Sequence, residues 1–211
     1  MSLLWTVLVY CLKVLPTALC AYASDLSLIH GPPKFMQKFQ FSKAILDNVL
    51  GHGLVAFSLW LAVLDYNLSN RWHCFECFLS FFIGSVIDID HFIMARSLNL
   101  HNALNLSSRP MFHNTSLLVL FLPIHIFIWS LKNKDEWYHN LLLICETAIL
   151  SHHIRDANRR GMWLWPFGNT PPIRPSWIYI SLIAILPIAV WYVKKLLKKR
   201  LFESPRVIDL V

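Results

Sequence analysis

The chain has 211 residues, a formal net charge of +7, 56% hydrophobic residues and a mean hydropathy of +0.49. This apolar share is too high for an ordinary soluble domain and argues against one or two soluble domains of the same total length. No basic soluble region stands apart from the apolar segments, so we expect no nucleic-acid partner.

Six apolar stretches follow one another along the chain, each about as long as the core of a bilayer requires. They lack period-two alternation, and backbone groups in lipid must be satisfied within a helix, so each stretch is predicted to be a transmembrane helix. The predicted fold is all-α: a polytopic integral membrane helix bundle made by a single domain, residues 1–211, with the lipid bilayer as its partner. The predicted spans are residues 3–22, 44–64, 73–94, 114–131, 137–154 and 176–193.

The first stretch has two interpretations. Ala21-Tyr22-Ala23 resembles the small-residue cleavage site of a signal peptide. Against cleavage, no basic segment precedes the stretch, and Lys13 and Pro16 interrupt its apolar core. We therefore favour a retained first helix over a removed signal.

The five cysteines lie in or beside apolar segments and form no paired framework in a loop, so we expect no disulfide scaffold. Cys74-x-x-Cys77 has a spacing that zinc can use, but a second pair of ligands is missing. We interpret these two cysteines as residues at the membrane boundary.

A basic tail, residues 194–211, follows the last apolar stretch and begins with a dense run of Lys and Arg. Lys and Arg are equally numerous on the two sides of the predicted membrane, so this run decides the orientation. Cytoplasmic loops are the ones enriched in Lys and Arg, which predicts a cytoplasmic C-terminal tail in a multi-pass protein. The sequence indicates neither the organelle nor the oligomeric state.

Histidines and acidic residues recur at the ends of the predicted helices. Because helices alternate in direction, all four clusters fall on one side of the membrane, opposite the C-terminal tail. The clusters are Asp47, Asn48 and His52; Asp88, Asp90 and His91; His113; and His152, His153 and Asp156.

These clusters suit a metal ion. Adjacent carboxylates at the end of an apolar helix repel one another, and a cation removes that conflict. Carboxylate and imidazole together favour a divalent ion such as Zn²⁺ or Mn²⁺. Seven candidate ligands exceed the need of one tetrahedral ion and favour a two-metal site. They are His52, Asp88, Asp90, His91, His113, His152 and Asp156.

Helical spacing divides these candidates. His152 and Asp156 share a helix face, as do Asp88 and His91, whereas Asp90 points away from that face. If Asp90 also binds the ion, the helix must unwind at this point. The competing interpretation is a polar helix end that faces water or lipid headgroups.

Arginines and aromatic residues surround the same side. Arg109, Arg155, Arg159 and Arg160 could hold a phosphate or contact lipid headgroups. Trp163, Trp165 and Phe167 are typical of an interfacial aromatic belt, and a wall of a lipid-binding cleft is the alternative.

The motifs LDNVLGH, DIDH, RPMFHN and SHHIRDANRRGMWLWPFG together resemble the YdjM-like family of membrane-bound metal-dependent hydrolases, over roughly residues 44–168. The family pattern matches Asp88 to His91, Arg109 to His113, Ser151 to Asp156, and Gly161 with Trp165-Pro166-Phe167. This chain departs from it at Phe112 and Asn114, where the family commonly has Thr and Ser, and near Asn158, where it commonly has Thr. The resemblance implies hydrolysis of a phosphoester.

From the residues and this resemblance we expect a metal-dependent hydrolase that cleaves a phosphoester in a phospholipid-like substrate. Asp90 or Asp156 would accept the proton, and Arg109 or Arg159 would hold the phosphate. The alternative is a non-catalytic membrane protein whose ion or polar network links the helices. A transporter ranks last, because only Glu146 and His125 lie near the middle of the membrane.

Overall fold

A computed structural model of the chain describes residues 3–30, 51–130 and 136–202. Within these ranges the chain is mostly helical, as predicted, and its one sheet is a two-stranded hairpin. The helices are α1 (Leu3–His30), α2 (Leu54–Val63), α3 (Arg71–Val86), α4 (Ile89–Ala95), α5 (Leu100–Leu104), α6 (Phe121–Ser130), α7 (Glu136–Arg160) and α8 (Ser176–Phe202).

Two of the described helical segments are long and apolar enough to cross a membrane, Arg71–Ala95 and Ser176–Leu197. Shorter apolar helices cover Gly51–Val63 and Thr115–His125. A membrane helix bundle agrees with this architecture, but the described residues do not show six complete spans. The first part of the predicted span 44–64 lies outside the described residues.

Apolar side chains from α2, α3, α7 and α8 form the centre of the bundle. Trp60 and Ile144 are fully buried in one cluster, and Tyr179 and Ile183 are fully buried in a second. Helices α2 and α3 approach closely at Gly84, where a Cβ would lie 2.8 Å from the Cβ of Ala56. This absence of a side chain lets α3 bring its C-terminal end against α2.

A buried carboxylate ties three of these helices together. Glu76 of α3 accepts a hydrogen bond from Trp60 Nε1 of α2 at 3.1 Å and one from Asn140 Nδ2 of α7 at 3.0 Å. Glu76 is 3% exposed, so these two donors replace the water that the carboxylate loses on burial. The contact fixes the end of the bundle opposite the Asp and His clusters.

The last helix is longer than the predicted span 176–193. Helix α8 continues to Phe202, so the basic run after position 193 extends the helix instead of opening a tail. Lys194 and Lys195 lie over the rings of Trp60 and Trp191, at 5.6 and 5.0 Å from the ring centroids. Cation–π contacts of this kind let the helix continue beyond its apolar part.

Candidate metal centre

A break between α3 and α4 places two carboxylates at one site. Helix α3 ends at Val86 and α4 begins at Ile89, with Asp88 at the N-cap position between them. On a continuous helix Asp88 and Asp90 would diverge, but this interruption turns both toward the same histidine. The unwinding that the sequence requires for their joint participation is therefore present.

His113 is brought to these carboxylates by a short 3₁₀ helix, Met111–His113, which follows Pro110. The backbone N–H of Phe112 donates to Oδ2 of Asp90 at 2.8 Å, which anchors the turn against α4. His113 Nε2 then lies 3.0 Å from Oδ1 of Asp88. His113, which stands alone in the sequence, occupies the middle of the site.

Helix α7 supplies the next two groups from one face, as the i,i+4 spacing predicts. His152 Nε2 is 3.7 Å from Oδ2 of Asp156. The same nitrogen lies 3.3 Å from Nε2 of His113 and 3.5 Å from Oδ1 of Asp88. The side chain of His152 is fully buried, whereas that of Asp156 is 30% exposed.

Four groups thus converge on one point, with ligand atoms that all lie within 4.8 Å of one another: Asp88, His113, His152 and Asp156. A second group with the same property consists of Asp90, His91 and His113. The two groups share His113, whose ring nitrogens face opposite ways. Six of the seven predicted ligands are therefore in these groups, and two imidazoles with two carboxylates form a donor set that suits zinc.

The other ring nitrogens of the two central histidines are held by hydrogen bonds. Nδ1 of His152 lies 3.1 Å from the carbonyl oxygen of Gly84, and Nδ1 of His113 lies 3.3 Å from Oδ2 of Asp90. In both contacts the acceptor requires the proton on Nδ1, so Nε2 is the nitrogen whose lone pair can bind an ion once its own proton is displaced. This arrangement of carboxylate or carbonyl, imidazole and open Nε2 is the one that orients histidines toward a metal.

The charges of the site are strongly coupled. Burial lowers the pKa of His113, but hydrogen bonds with Asp156, Asp88 and Asp90 outweigh burial and raise that pKa to about 11. Burial raises the pKa of Asp156, yet the hydrogen bond from His113 and the neighbouring His152 hold it well below its usual range. In the metal-free protein, protonated histidine therefore compensates the carboxylates.

His52, the seventh predicted ligand, lies beside the converging groups. Its ring stacks on that of His152 with 3.8 Å between centroids, and its Nε2 is 3.6 Å from Oδ1 of Asp156. It therefore packs behind one ligand and faces the outer oxygen of another. Asp47 and Asn48, which share its sequence cluster, lie outside the described residues.

The arginines that the sequence groups together have different surroundings. Arg159 and Arg160 line an open cavity of about 150 Å³ together with Asp88 and Asp156. Arg109 donates to the carbonyl oxygen of Gly161 at 3.0 Å and to that of Arg160. Arg109 thereby fastens the segment before His113 to the end of α7.

Arg155 has a structural environment that its sequence position does not indicate. It is 2% exposed, and its Nη2 lies 3.4 Å from Oδ1 of Asp25 in α1. Tyr179 of α8 donates a hydrogen bond to the same carboxylate. This network links α1, α7 and α8, so Arg155 is directed away from the cavity that a phosphate would enter.

The sequence places His153 in a candidate cluster, either as a second ligand or as an interfacial residue, but it does not indicate the contact that His153 makes with Phe112. His153 is buried, and its Nε2 donates to the carbonyl oxygen of Phe112 at 2.8 Å. Phe112 therefore fixes the site through both its N–H and its carbonyl group. A backbone contact of this kind leaves no residue-type signal, so no motif could have revealed it.

The Trp-rich end of the motif SHHIRDANRRGMWLWPFG forms a hairpin beside the site. Strands β1 (Trp163–Leu164) and β2 (Gly168–Asn169) pair antiparallel, and Trp163 bridges to Asn114. Phe167 at the tip is 88% exposed and Trp165 is 62% exposed. Both the aromatic belt and the cleft wall remain compatible with this placement.

The position that follows the last residue of helix α7 accepts only glycine. Gly161 has φ +70°, and a Cβ there would lie 1.9 Å from the carbonyl oxygen of Thr170. Its N–H donates to Ala157 at 3.1 Å, which closes the last turn. The hairpin is thereby folded back against the ligands of α7.

The Cys74-x-x-Cys77 pair is far from this arrangement. Cys77 is fully buried and Cys74 donates a weak hydrogen bond to the carbonyl oxygen of Leu68 at 3.6 Å. Among the described residues, neither cysteine belongs to a converging group of three or more ligands.

Comparison with known proteins identifies similar membrane proteins. The chain is 37% identical over 154 residues to transmembrane protein 267 of Danio rerio, covering 72% of this chain and 67% of the relative. It is 36% identical over 151 residues to transmembrane protein 267 of Mus musculus, covering 71% of this chain and 68% of the relative. No protein-family model matches the chain, and no solved structure matches it.

Proposed function

The chain belongs to the transmembrane protein 267 family, whose members are membrane proteins. From the Asp and His side chains that converge in it, we propose that it is a membrane-embedded, metal-dependent hydrolase that acts on a phosphoester. The observation that carries this proposal is the convergence of Asp88, His113, His152 and Asp156, whose ligand atoms lie within 4.8 Å of one another. The resemblance of the motifs to the YdjM-like family agrees with it.

The site fits a divalent ion because one N–H of His113 faces more acceptor atoms than it can bind. Nε2 of His113 faces Asp88 at 3.0 Å, Asp156 at 3.4 Å and Nε2 of His152 at 3.3 Å. A single N–H directed at Asp88 cannot also satisfy the other two groups. With both Nδ1 atoms already donating, a cation is the natural partner for the remaining lone pairs.

We assign the four converging side chains as the ligands and Asp90 as the group that orients His113. Both oxygens of Asp90 are in use, because Oδ2 accepts from Phe112 and His113 and Oδ1 lies 3.2 Å from His91 Nδ1. A second ion at Asp90, His91 and His113 would require His113 to bind through Nδ1 as well. The principal ion therefore belongs to the four-ligand group.

When bound, a divalent ion lowers the pKa of a water ligand and polarises a phosphoryl oxygen. Asp156 would bind the ion through Oδ2, which faces His113 and His152, so its Oδ1 is left to accept a proton. The side chain lines the open cavity and is 30% exposed. Asp90 is only 7% exposed at its side chain and is fully hydrogen-bonded. Of the two predicted proton acceptors, the surroundings favour Asp156.

Phosphate binding falls to the cations that share this cavity. Arg159 and Arg160 line it beside Asp88 and Asp156, so a phosphate at the ion would meet guanidinium groups. Arg109 already donates two hydrogen bonds, to the carbonyl groups of Gly161 and Arg160. We therefore assign phosphate binding to Arg159 with Arg160, and to Arg109 the positioning of the loop that carries His113.

A non-catalytic role has its own support. The contacts of His152 with Gly84, His153 with Phe112, and Asp90 with Phe112 join separate segments without any ion. Polar contacts between helices stabilise membrane bundles even where no chemistry occurs. In that case substitution of a ligand residue would lower the amount of folded protein, and the native protein would show no turnover.

The experiment is a turnover assay of the purified protein, stripped with a chelator and reloaded with Zn²⁺ or Mn²⁺. Bis(p-nitrophenyl) phosphate and a phospholipid panel serve as substrates, in micelles and in vesicles. The Asp88→Ala/His152→Ala double variant should lose turnover, whereas His101→Ala, an exposed histidine outside the site, should keep it. Equal rates for native protein and double variant would refute the enzyme.

Protein abundance and monodispersity separate the two roles. If the double variant accumulates normally and is monodisperse while turnover is lost, the site is catalytic. If the double variant fails to accumulate and the native protein turns over no substrate, the site links helices.

A further inference from the structure

An apolar groove lies beside the metal centre, between α3, the 3₁₀ segment Thr115–Leu120, α6 and α7. Its volume is about 510 Å³, and its wall is almost wholly apolar. Small-molecule sites typically have volumes of roughly 300–1,000 Å³, so this space is large enough for a ligand. The metal site accounts for none of the side chains that line it.

Two residues that line the groove immediately precede metal ligands in the chain. On one wall the last lining residue is Ile87, and Asp88 follows it in the chain. On the opposite wall the lining residue is Phe112, and His113 follows it. Neighbouring Cα atoms are about 3.8 Å apart, so the backbone of both metal ligands lies within one residue of the groove lining.

The groove is also open toward the bilayer. Its outer side chains include Phe82, Leu120 and Ile124, which are 61%, 58% and 42% exposed. Phe82 belongs to Arg71–Ala95, a segment long and apolar enough to span a membrane. A ligand could therefore enter sideways from lipid without crossing water.

The metal centre beside the groove carries positive charge. Arg159 and Arg160 line the cavity at the metal centre, and Arg109 and Arg160 line a smaller one that also contains His113. The groove shares no lining residue with these two cavities, but one residue of chain separates its lining from the metal ligands at Ile87 and at Phe112. An apolar groove next to a metal site with several guanidinium groups is complementary to an amphipathic anion. A phospholipid with a phosphomonoester headgroup combines these two properties.

We propose that this groove binds one acyl chain of an anionic phospholipid, so that the phosphate of the lipid reaches the metal centre from the same leaflet. The second acyl chain stays in the bilayer. This inference rests on the proposed function for the reaction, but the binding of the lipid is measurable without turnover. It defines the substrate class as a membrane lipid with a terminal phosphate.

The test uses dioleoyl phosphatidic acid in mixed micelles and native mass spectrometry of the full chain. Ile124→Trp fills the groove, and Ile185→Trp makes the same change at an exposed isoleucine of α8 outside it. We expect one lipid retained by native protein and by Ile185→Trp, and at least tenfold less by Ile124→Trp. Equal retention by the two variants would overturn the groove assignment.

A second groove variant, the zinc content and a phosphate probe without acyl chains serve as controls for this test. Leu117→Phe narrows the groove by a smaller change, and its lipid retention should fall between those of native protein and Ile124→Trp. Bound zinc, measured on every variant, identifies a preparation that has lost its fold. Glycerol 3-phosphate carries the same phosphate without chains, and binding as tight as that of the lipid would also overturn the inference.

The experiments distinguish an error in the lipid-binding inference from an error in the hydrolase proposal. Groove-dependent lipid retention without turnover of any ester would refute the hydrolase and leave the lipid site standing. Turnover that depends on Asp88 and His152, with lipid retention insensitive to Ile124→Trp, would leave the hydrolase standing and refute the groove.

Discussion

Nε2 of His113 lies 3.0 Å from Oδ1 of Asp88, although 25 positions separate the two residues in the chain. Neither residue reaches this point from a regular α-helix. Asp88 sits at the N-cap after the break in α3, and His113 ends a 3₁₀ turn. The candidate metal centre therefore depends on two irregular backbone segments packed against the long helix α7.

Replacing a ligand and replacing the orienting carboxylate should have different effects on metal binding. Asp88→Asn and His152→Ala remove groups from the four-ligand set, so we expect less than one tenth of the native zinc after dialysis. Asp90→Asn leaves that set intact and should weaken binding about 10–100-fold without changing the stoichiometry. Elemental analysis and competition with a chelator measure both quantities.

The number of ions bound per chain distinguishes one metal site from two. If Asp90→Asn halves a native content of two ions per chain, the second group of Asp90, His91 and His113 binds an ion of its own. Native protein that stays free of metal after incubation with Zn²⁺ and Mn²⁺ would remove the basis of the proposed enzyme.

Metal binding should release protons and strengthen as pH rises. The pKa of His113 in the metal-free protein is raised to about 11, so this residue is protonated throughout pH 6–8. An ion must displace that proton, and a single displaced proton makes the apparent affinity rise about tenfold per pH unit.

Calorimetry in two buffers of different ionisation enthalpy counts the released protons. The affinity should fall from pH 8 to pH 6, since binding releases the proton of His113 and a higher proton concentration opposes that release. A flat profile over this range would mean that His113 does not bind the ion.

Substitution of Glu76, the buried carboxylate at the end of the bundle opposite the metal centre, should lower the stability of the protein without changing metal binding. Glu76→Leu leaves Trp60 Nε1 and Asn140 Nδ2 without their acceptor, at a cost of about 1–3 kcal/mol for each buried donor. Glu76→Gln keeps one acceptor oxygen and should cost less. Thermal unfolding in detergent should rank native protein, Glu76→Gln and Glu76→Leu in descending order, with zinc content unchanged in the folded fraction.

Gly161 should be intolerant of alanine for a reason that Gly168 does not share. Both have positive φ, +70° and +100°, so alanine strains the backbone by about 1–3 kcal/mol at either position. At Gly161 a Cβ would also overlap the carbonyl oxygen of Thr170, whereas nothing lies within 4 Å at Gly168.

Gly161→Ala should therefore lower abundance and bound zinc more than Gly168→Ala, because Arg109 anchors its loop on the carbonyl group of Gly161. Equal loss in the two variants would mean that the turn is not coupled to the metal centre. Immunoblotting and elemental analysis of the purified variants measure the two effects.

The orientation in the membrane is testable at two glycosylation acceptor sequences. Asn67-Leu68-Ser69 precedes α3, and Asn105-Leu106-Ser107 follows α5 on the side of the metal centre. With a cytoplasmic C-terminal tail, Asn67 should carry no sugar. Glycosidase treatment of protein made in microsomes tests this expectation, and sugar on Asn67 would reverse the orientation.

The sequence by itself determined the helical class and the residue types of the site. Long apolar runs without alternation predict helices, and the i,i+4 spacing of His152 and Asp156 predicts their shared face. Both properties are local: they depend on hydropathy and on the 3.6-residue period, which can be read without knowing which helices pack together.

Only the tertiary structure decided which polar residues meet and what each one does. His113 is central because it lies 3.3 Å from His152, across 39 positions of chain, and no local pattern encodes that distance. Arg155 and Arg159 are four residues apart on one helix, yet Arg155 is buried against Asp25 while Arg159 lines the open cavity. The physical reason is that Asp25 of α1 and the backbone at Gly51 lie against the Arg155 guanidinium, so packing between distant segments assigns different roles to identical side chains.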